Sequence, residues 1–108
     1  MDVIFYGLKS CDTCKKAFKT LCKAGHVVNY IDVRADGIDA SILAKFQNEF
    51  GQALTNTRST TWRNLSDVDR KRPALQLLSE YPTLMKRPVI DVNGKLSLGW
   101  SKDVQAKF

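Results

Sequence analysis

Two cysteines separated by two residues, Cys11 and Cys14, are the side chains of this sequence best suited to chemistry. If a helix begins at Cys11, the unpaired N–H groups and the positive end of the helix dipole stabilise its thiolate. Cys14 then lies one turn further on, where it can attack a sulfur adduct on Cys11 and close an intramolecular disulfide. We therefore predict Cys11 as a nucleophile and Cys14 as a resolving thiol.

A zinc site is the main alternative for such a pair, because Cys22 and His26 complete a nominal set of four ligands. The spacing argues against it. In one continuous helix, Cys22 lies roughly 16 Å along the axis from Cys11, at about 1.5 Å rise per residue. We therefore predict no metal site, and we expect Cys22 to be a packed apolar residue.

The elements around the pair are predicted from apolar periodicity. Residues 3–6 form a short β-prone run, residues 12–24 have one apolar face and one lysine-rich face, and residues 27–33 are again β-prone. This strand, helix, strand order predicts a βαβ unit with parallel strands. A Cys-x-x-Cys pair at the first turn of such a unit is typical of a thioredoxin-like redox site.

The rest of the chain is predicted to be helical and then to close with a hairpin. Asp39 can cap a helix that ends at Gly51, and Ser66 can cap another. Pro73 is expected in the first turn of a third helix. Residues 88–92 and 95–98 flank Asn-Gly, a strong two-residue turn signal, and a short helix is expected over 102–108. We predict a single domain over residues 1–108.

Composition narrows the classes of function. The chain has 108 residues, three cysteines and a net charge of +6. An odd cysteine number with two so close together is unsuited to a secreted disulfide framework, so we expect a reducing, cytoplasmic compartment. Neither a signal peptide nor a membrane span is predicted. The positive charge favours anionic partners, but basic and aromatic residues are not interleaved, so direct nucleic-acid binding is not expected.

Two arginines are candidate anion ligands. Arg87 precedes Pro88 at a strand start, where a guanidinium suits an oxyanion or carboxylate; an ordinary surface arginine is the open alternative. The same two readings apply to Arg63. From sequence alone, the peptide bond before Pro88 is expected to be trans.

Together these residues resemble the ArsC/Spx family, the arsenate-reductase-like branch of the thioredoxin fold, and especially its short bacterial YffB-type members. The resemblance covers nearly the whole chain. It rests on three motifs in order, at residues 6–7 with 10–17, 56–65, and 86–89 with the hairpin that ends at 98–99.

The resemblance implies an α/β, thioredoxin-like fold with a mixed four-stranded sheet, flanking helices and a helical insertion at about residues 38–81. It implies that Pro88 is a cis-proline facing the cysteine loop, and that Arg63 and Arg87 bind oxyanion. The sequence also departs from the arsenate reductases. Trp100 stands near the position of their third arginine, and Gly7 replaces a histidine, which leaves arsenate as one candidate substrate among several.

For function, the resemblance implies a thiol-dependent reductase that acts on a small oxyanion or an oxidised thiol. Glutathione is the expected co-substrate, glutathione or glutaredoxin the expected partner, and no bound cofactor is expected. The alternative is a Spx-like redox-sensing regulator that binds RNA polymerase, in which Cys11 and Cys14 form the switch. No membrane partner is expected in either case.

Overall fold

The computed structural model describes residues 2–108 and contains a mixed four-stranded sheet. The strands are β1 (Asp2–Gly7), β2 (Val27–Asp32), β3 (Val89–Val92) and β4 (Lys95–Leu98). They lie in the order β2-β1-β3-β4, with β1 parallel to β2 and antiparallel to β3. Strand β3 is antiparallel to β4. The predicted parallel pairing of the opening unit and the predicted closing hairpin are therefore confirmed.

The chain divides into two compact units. The first contains the residues up to Asp36 together with Arg87–Phe108, and the second contains Gly37–Lys86. The sheet belongs to the first unit. The second confirms the predicted helical insertion and extends beyond residue 81, because a short 3-10 turn at Pro82–Leu84 follows its last α-helix. The expectation of a single domain over residues 1–108 stays a prediction.

The first unit packs two helices, α1 (Asp12–Lys23) and the short α6 (Lys102–Gln105), against the sheet. Its core joins strand and helix side chains: Val3, Phe5, Cys14, Ala17, Leu21, Ile90 and Val104. In α1 the buried positions recur at helical spacing, while the lysines between them face solvent. Burial of this face holds the start of α1 against the end of β1.

Cys22 corrects one sequence-based expectation. Its thiol is free and the residue is exposed, not packed. The reason is helical geometry: Leu21 is fully buried, and Cys22 is rotated by about 100° from it, beyond the edge of the apolar face.

The second unit contains four α-helices: α2 (Ala40–Phe50), α3 (Thr60–Arg63), α4 (Asp67–Arg70) and α5 (Ala74–Glu80). Asp39 occupies the predicted N-cap position of α2, but its side chain makes no capping hydrogen bond. The capping predicted for Ser66 is present, since its hydroxyl accepts from the backbone N–H of Asp69 at 3.1 Å. Pro73 precedes α5 as its N-cap residue, one position before the predicted place.

Membrane insertion through a helix is not supported: within residues 2–108, none of the helices combines the length and apolar character needed to cross a bilayer.

Candidate active site

The two cysteines lie where β1 leads into α1. Cys11 is the N-cap residue of α1, with extended backbone dihedrals of φ −84° and ψ 123°. Its carbonyl accepts from the N–H of Lys15 at 3.0 Å, and its own N–H donates to the carbonyl of Leu8 at 3.1 Å. Cys11 is partly exposed, Cys14 is fully buried, and both thiols are free. The predicted placement at the helix N-terminus is present.

The surroundings of Cys11 favour its thiolate. Partial burial raises the pKa of Cys11, but hydrogen bonds from the backbone N–H and thiol of Cys14 and the charge of Arg87 more than offset it. The net result is a pKa of Cys11 below its ordinary value. Cys11 is therefore the more nucleophilic thiol of the pair at neutral pH.

Cys14 has the opposite character. Burial raises the pKa of Cys14 to about 11, and the neighbouring Cys11 thiolate adds to this effect, whereas the N–H of Leu8 opposes it. Cys14 is therefore protonated near neutral pH, beside the more acidic thiol of Cys11. The two thiols of one motif thus have pKa values shifted in opposite directions, through burial and through their interaction with each other.

Arg87 lies near both cysteines in the first unit, and Pro88 follows it in the chain; the predicted position of Pro88 opposite the cysteine loop stays a prediction. The Arg87 guanidinium acts on both cysteine sulfurs as a neighbouring positive charge, and it is within hydrogen-bonding reach of Cys11. The Arg87–Pro88 peptide bond is cis. The trans form expected from sequence alone is therefore wrong, and the form implied by the family resemblance is present.

Tyr30 is a site residue that the sequence reasoning missed. From β2, its hydroxyl donates to the carbonyl of Leu8 at 2.7 Å, and its ring packs against Phe5 and Phe18 at centroid distances of 4.7 and 5.2 Å. Burial raises the pKa of Tyr30, and its interactions with the nearby thiol groups of Cys14 and Cys11 add to this effect. The available signal was topological: parallel β1 and β2 bring their carboxyl ends to one edge of the sheet.

Asp32, at the end of β2, also supports the cysteine loop and was also missed. Its carboxylate accepts from three backbone N–H groups, of Lys9 at 3.0 Å and of Arg34 and Ala35 at 2.9 Å each. Burial raises the pKa of Asp32, but these N–H groups outweigh it and hold the pKa below its ordinary value. Asp32 thus ties the loop before Cys11 to the turn after β2.

Gly7 provides room for the buried thiol. A Cβ at this position would lie 2.9 Å from Cys14 Sγ and 2.9 Å from Phe5 Cε1. The site therefore has no space for a histidine, the residue that the family resemblance implies at this position in the arsenate reductases, unless the Cys14 side chain moves.

Arg63 lies in the second unit, where it is the last residue of α3. Its guanidinium donates to the carbonyl of Arg58 at 3.2 Å. The helix is capped by the hydroxyl of Ser59, which accepts from the N–H of Trp62 at 3.1 Å. Participation of Arg63 in anion binding stays a prediction.

Trp100 is the residue that the family resemblance sets near a third arginine of the arsenate reductases. It stacks on Phe108 with ring centroids 6.2 Å apart, and its carbonyl accepts from Gln105 at 3.0 Å. This position thus contributes apolar contact and no positive charge.

Across residues 2–108, the structure contains no cluster of three or more His, Cys, Asp or Glu side chains able to hold a metal.

Comparison with known sequences places this thiol site in a family. The sequence pattern of the ArsC family matches residues 6–108, and the chain belongs to the ArsC family. An uncharacterised protein of Haemophilus influenzae is 43% identical, with 98% of each chain covered. A global transcriptional regulator of Bacillus cereus, Spx 2, is 25% identical over 98% of this chain and 86% of its own.

Solved structures share the architecture. A YffB protein aligns with a TM-score of 0.90 at 32% identity, covering 97% of this chain and 96% of its own. An arsenate reductase (ArsC) related protein from Brucella melitensis aligns with a TM-score of 0.77 at 33% identity, covering 100% and 94%. The predicted α/β, thioredoxin-like fold with a mixed four-stranded sheet is therefore confirmed.

Proposed function

We propose that this protein is a thiol-disulfide reductase that uses Cys11 as nucleophile and Cys14 as resolving thiol. One observation carries the proposal: at a helix N-terminus beside Arg87, the pKa of Cys11 is lowered while burial raises the pKa of Cys14. This arrangement makes Cys11 the better nucleophile and keeps the adjacent Cys14 protonated until the second step.

In the first step, the Cys11 thiolate attacks one sulfur of a substrate disulfide. The substrate S–S bond breaks, a mixed disulfide forms on Cys11, and the departing thiolate takes a proton from solvent. Arg87 neutralises negative charge around the reacting sulfurs. At this stage one substrate sulfur has been released as a thiol, and the other is held in the mixed disulfide with Cys11.

In the second step, Cys14 attacks Cys11 Sγ and releases the remaining substrate thiol, leaving a disulfide between Cys11 and Cys14. The Cys11 negative charge that helps to raise the pKa of Cys14 disappears once Cys11 is in the mixed disulfide. Deprotonation of Cys14 therefore becomes easier when its thiolate is needed. Over both steps the substrate gains two electrons from the pair, one proton from solvent and one equivalent to the proton that Cys14 releases.

We further propose glutathione as the electron donor, with a glutaredoxin as the possible intermediate carrier. Two glutathione molecules return the Cys11–Cys14 disulfide to thiols and become glutathione disulfide. This donor is consistent with a reducing, cytoplasmic compartment and requires no bound cofactor. The Brucella relative's name extends the candidate substrates to arsenate, for which Arg63 and Arg87 are the proposed oxyanion ligands.

The test compares three cysteine variants on a neutral disulfide, hydroxyethyl disulfide, with glutathione as reductant. We expect Cys11→Ser to abolish reduction and Cys14→Ser to accumulate a mixed disulfide on Cys11, identified by mass spectrometry. Cys22→Ser is the matched control, because Cys22 is free and exposed outside the site. Full activity of Cys11→Ser contradicts the proposal.

A second candidate function is redox-dependent regulation of transcription through binding of RNA polymerase. The similarity over nearly the whole chain to Spx 2 favours it, together with the dithiol. The regulator proposal expects RNA polymerase to be retained to different extents by protein with Cys11 and Cys14 reduced and by protein with them joined. If both forms retain RNA polymerase equally and the protein reduces disulfides efficiently, the result favours the reductase over the regulator.

A further inference from the structure

An apolar groove with a positive rim lies beside the cysteine loop in the first unit. It measures about 440 Å³, and its lining comprises Phe18, Tyr30, Lys9, Lys15 and Lys19. The two rings are partly buried and form the floor, whereas the three lysines are exposed. The groove therefore combines an apolar contact surface with three positive charges.

The groove is joined directly to the reactive loop. Lys9 precedes Cys11 by two residues, Lys15 follows Cys14 directly, and the Tyr30 hydroxyl bonds to the carbonyl of Leu8. The Cys11 N–H donates to that same carbonyl at 3.1 Å. A molecule bound in the groove thus lies next to the loop that holds Cys11.

The lining contains no acidic side chain. Of the acids near the cysteine loop, Asp32 at the end of β2 is buried and accepts from three backbone N–H groups, and Asp12, which follows Cys11, is exposed but does not line the groove. The field in the groove is consequently positive, and it favours an occupant that is negatively charged and apolar in part.

We propose that this groove is the docking site for an acidic protein segment that carries the disulfide to Cys11, with a bulky apolar side chain on the aromatic floor. This proposal rests on the proposed reductase function and names its substrate class. Lys15 and Lys19 are one helical turn apart and Lys9 lies in the loop, so the charges are spread along the groove. Separate flexible ammonium groups suit several carboxylates along a peptide better than one compact anion.

The ring geometry disfavours a nucleic-acid strand in the same place. Phe18 and Tyr30 meet edge-on, with an interplanar angle of 66°, and both also pack on Phe5. Single-strand binding uses open aromatic faces on which bases stack. Because Phe18 and Tyr30 pack edge-on against each other, they form an apolar surface that suits contact with an aliphatic side chain.

The binding test uses protein with both Cys11→Ser and Cys14→Ser, so that no chemistry takes place. The probe is a cysteine-free peptide in which glutamates flank one leucine, and binding is followed by amide NMR shifts. We expect shifts at Lys9, Phe18 and Tyr30, and none with the corresponding lysine-flanked peptide. Equal binding of both peptides, or shifts confined to other surfaces, overturns the proposal.

The kinetic test uses the same glutamate peptide extended by a cysteine in a mixed disulfide. In Lys15→Glu/Lys19→Glu protein, we expect kcat/KM for this substrate to fall about tenfold. The rate on hydroxyethyl disulfide, which is neutral, serves as the reference for each variant. Lys16→Glu/Lys23→Glu is the matched control: it makes the same charge change on exposed positions of α1 that do not line the groove.

An equal loss in the two double variants would attribute the effect to net charge and overturn the docking site. Displacement of the glutamate peptide by an equimolar polythymidine of matched charge, or by equimolar glutathione, would also overturn it. Failure of the reductase function would give a different result. Wild-type protein would then reduce no disulfide, while the NMR titration would still show binding of the glutamate peptide in the groove.

Discussion

Cys11 and Cys14 differ in chemistry because one caps a helix at the surface and the other points into the core. Burial acts on both sulfurs in the same direction, raising the pKa. Only Cys11 has enough compensation, from the Cys14 N–H and thiol and from the Arg87 charge, to end below its ordinary value. Greater burial of Cys14 and stronger compensation at Cys11 thus together separate the proposed nucleophile from the proposed resolving thiol.

Replacing Arg87 tests this account of Cys11. Burial already acts to raise the pKa of Cys11, so removal of the opposing charge in Arg87→Gln should raise it further. We expect alkylation of Cys11 by iodoacetamide near neutral pH to slow by about threefold or more. The measurement is the alkylation rate against pH, with the label located by mass spectrometry.

The control for this prediction is Lys86→Gln, which removes the adjacent positive charge of the chain. Its effect on the rate should be smaller, because Arg87 and not Lys86 is among the main causes of the lowered pKa of Cys11. Identical alkylation profiles for Arg87→Gln and wild type would contradict the role given to the guanidinium.

Gly7 is the second residue with a specific prediction. In Gly7→Ala, the new methyl would lie 2.9 Å from Cys14 Sγ and from Phe5 Cε1, and both of these residues are fully buried. Such overpacking is expected to lower the free energy of unfolding by about 1 to 3 kcal/mol, measured by urea denaturation. In the Cys14→Ala background the cost should be smaller, because one of the two contacts is gone. The same cost in both backgrounds would show that Sγ is not the obstacle.

At the scale of elements, β2 positions the cysteine loop from outside the motif. Parallel pairing sets Gly7 opposite Asp32, so the end of β2 lies beside the chain as it leaves β1. Tyr30 and Asp32 then bond to the backbone of Leu8 and Lys9. The loop geometry thus depends on a strand that follows the cysteines in sequence.

The Asp32 carboxylate gives the prediction at this scale. Since its pKa is lower in the folded protein than in the unfolded chain, its contribution is present above the ordinary aspartate pKa. That contribution is lost as pH falls through the lower, folded-state value. We expect Asp32→Ala to lower the free energy of unfolding at pH 7 by about 1 to 3 kcal/mol.

The measurement is urea denaturation at neutral and acidic pH. Wild type should lose stability on acidification more steeply than Asp32→Ala, so that the gap between them narrows. Asp103→Asn, an exposed carboxylate in α6, is the control and should leave both the stability and its pH slope near wild type. A gap that stays constant with pH would contradict the ionic role of Asp32.

At the scale of the whole molecule, the net charge of +6 should govern encounter with anionic substrates. We expect Cys11 to react with an anionic aromatic disulfide several times more slowly at an ionic strength of about 1 M than at about 0.01 M, where the screening length is about ten times longer. Hydroxyethyl disulfide, which is neutral, should show little change. Stopped-flow rates across a salt series measure both, and parallel slopes for the two disulfides would exclude steering by charge.

Arg63 belongs to this scale as well, because its unit is separate from that of the cysteines. The sequence motif predicts that Arg63 is an anion ligand. In the structure, its guanidinium donates a hydrogen bond to the carbonyl of Arg58. If it serves anionic substrates, Arg63→Gln should reduce kcat/KM for them and leave neutral disulfides unaffected. An equal effect on both classes would indicate a structural role within α3.

Several features of this protein follow from the sequence alone, because they depend on neighbours along the chain. The apolar spacing of α1, the turn at Asn93–Gly94 and the cap at Ser66 are local patterns, and each was predictable. The position of Cys11 at a helix N-terminus followed from the same local reasoning. Cys22 was mispredicted because adjacent apolar letters do not show where the edge of a helix face falls.

Tertiary structure decided what depends on contacts between distant segments. Arg87 reaches Cys11 only through the pairing of β3 with β1, and Tyr30 and Asp32 reach the loop only through the pairing of β2 with β1. The burial that raises the pKa of Cys14 likewise requires the assembled core. The sequence by itself therefore identified the two candidate thiols, whereas the fold determined which of them has the lowered pKa, because a pKa responds to charges and burial that the chain brings together only when folded.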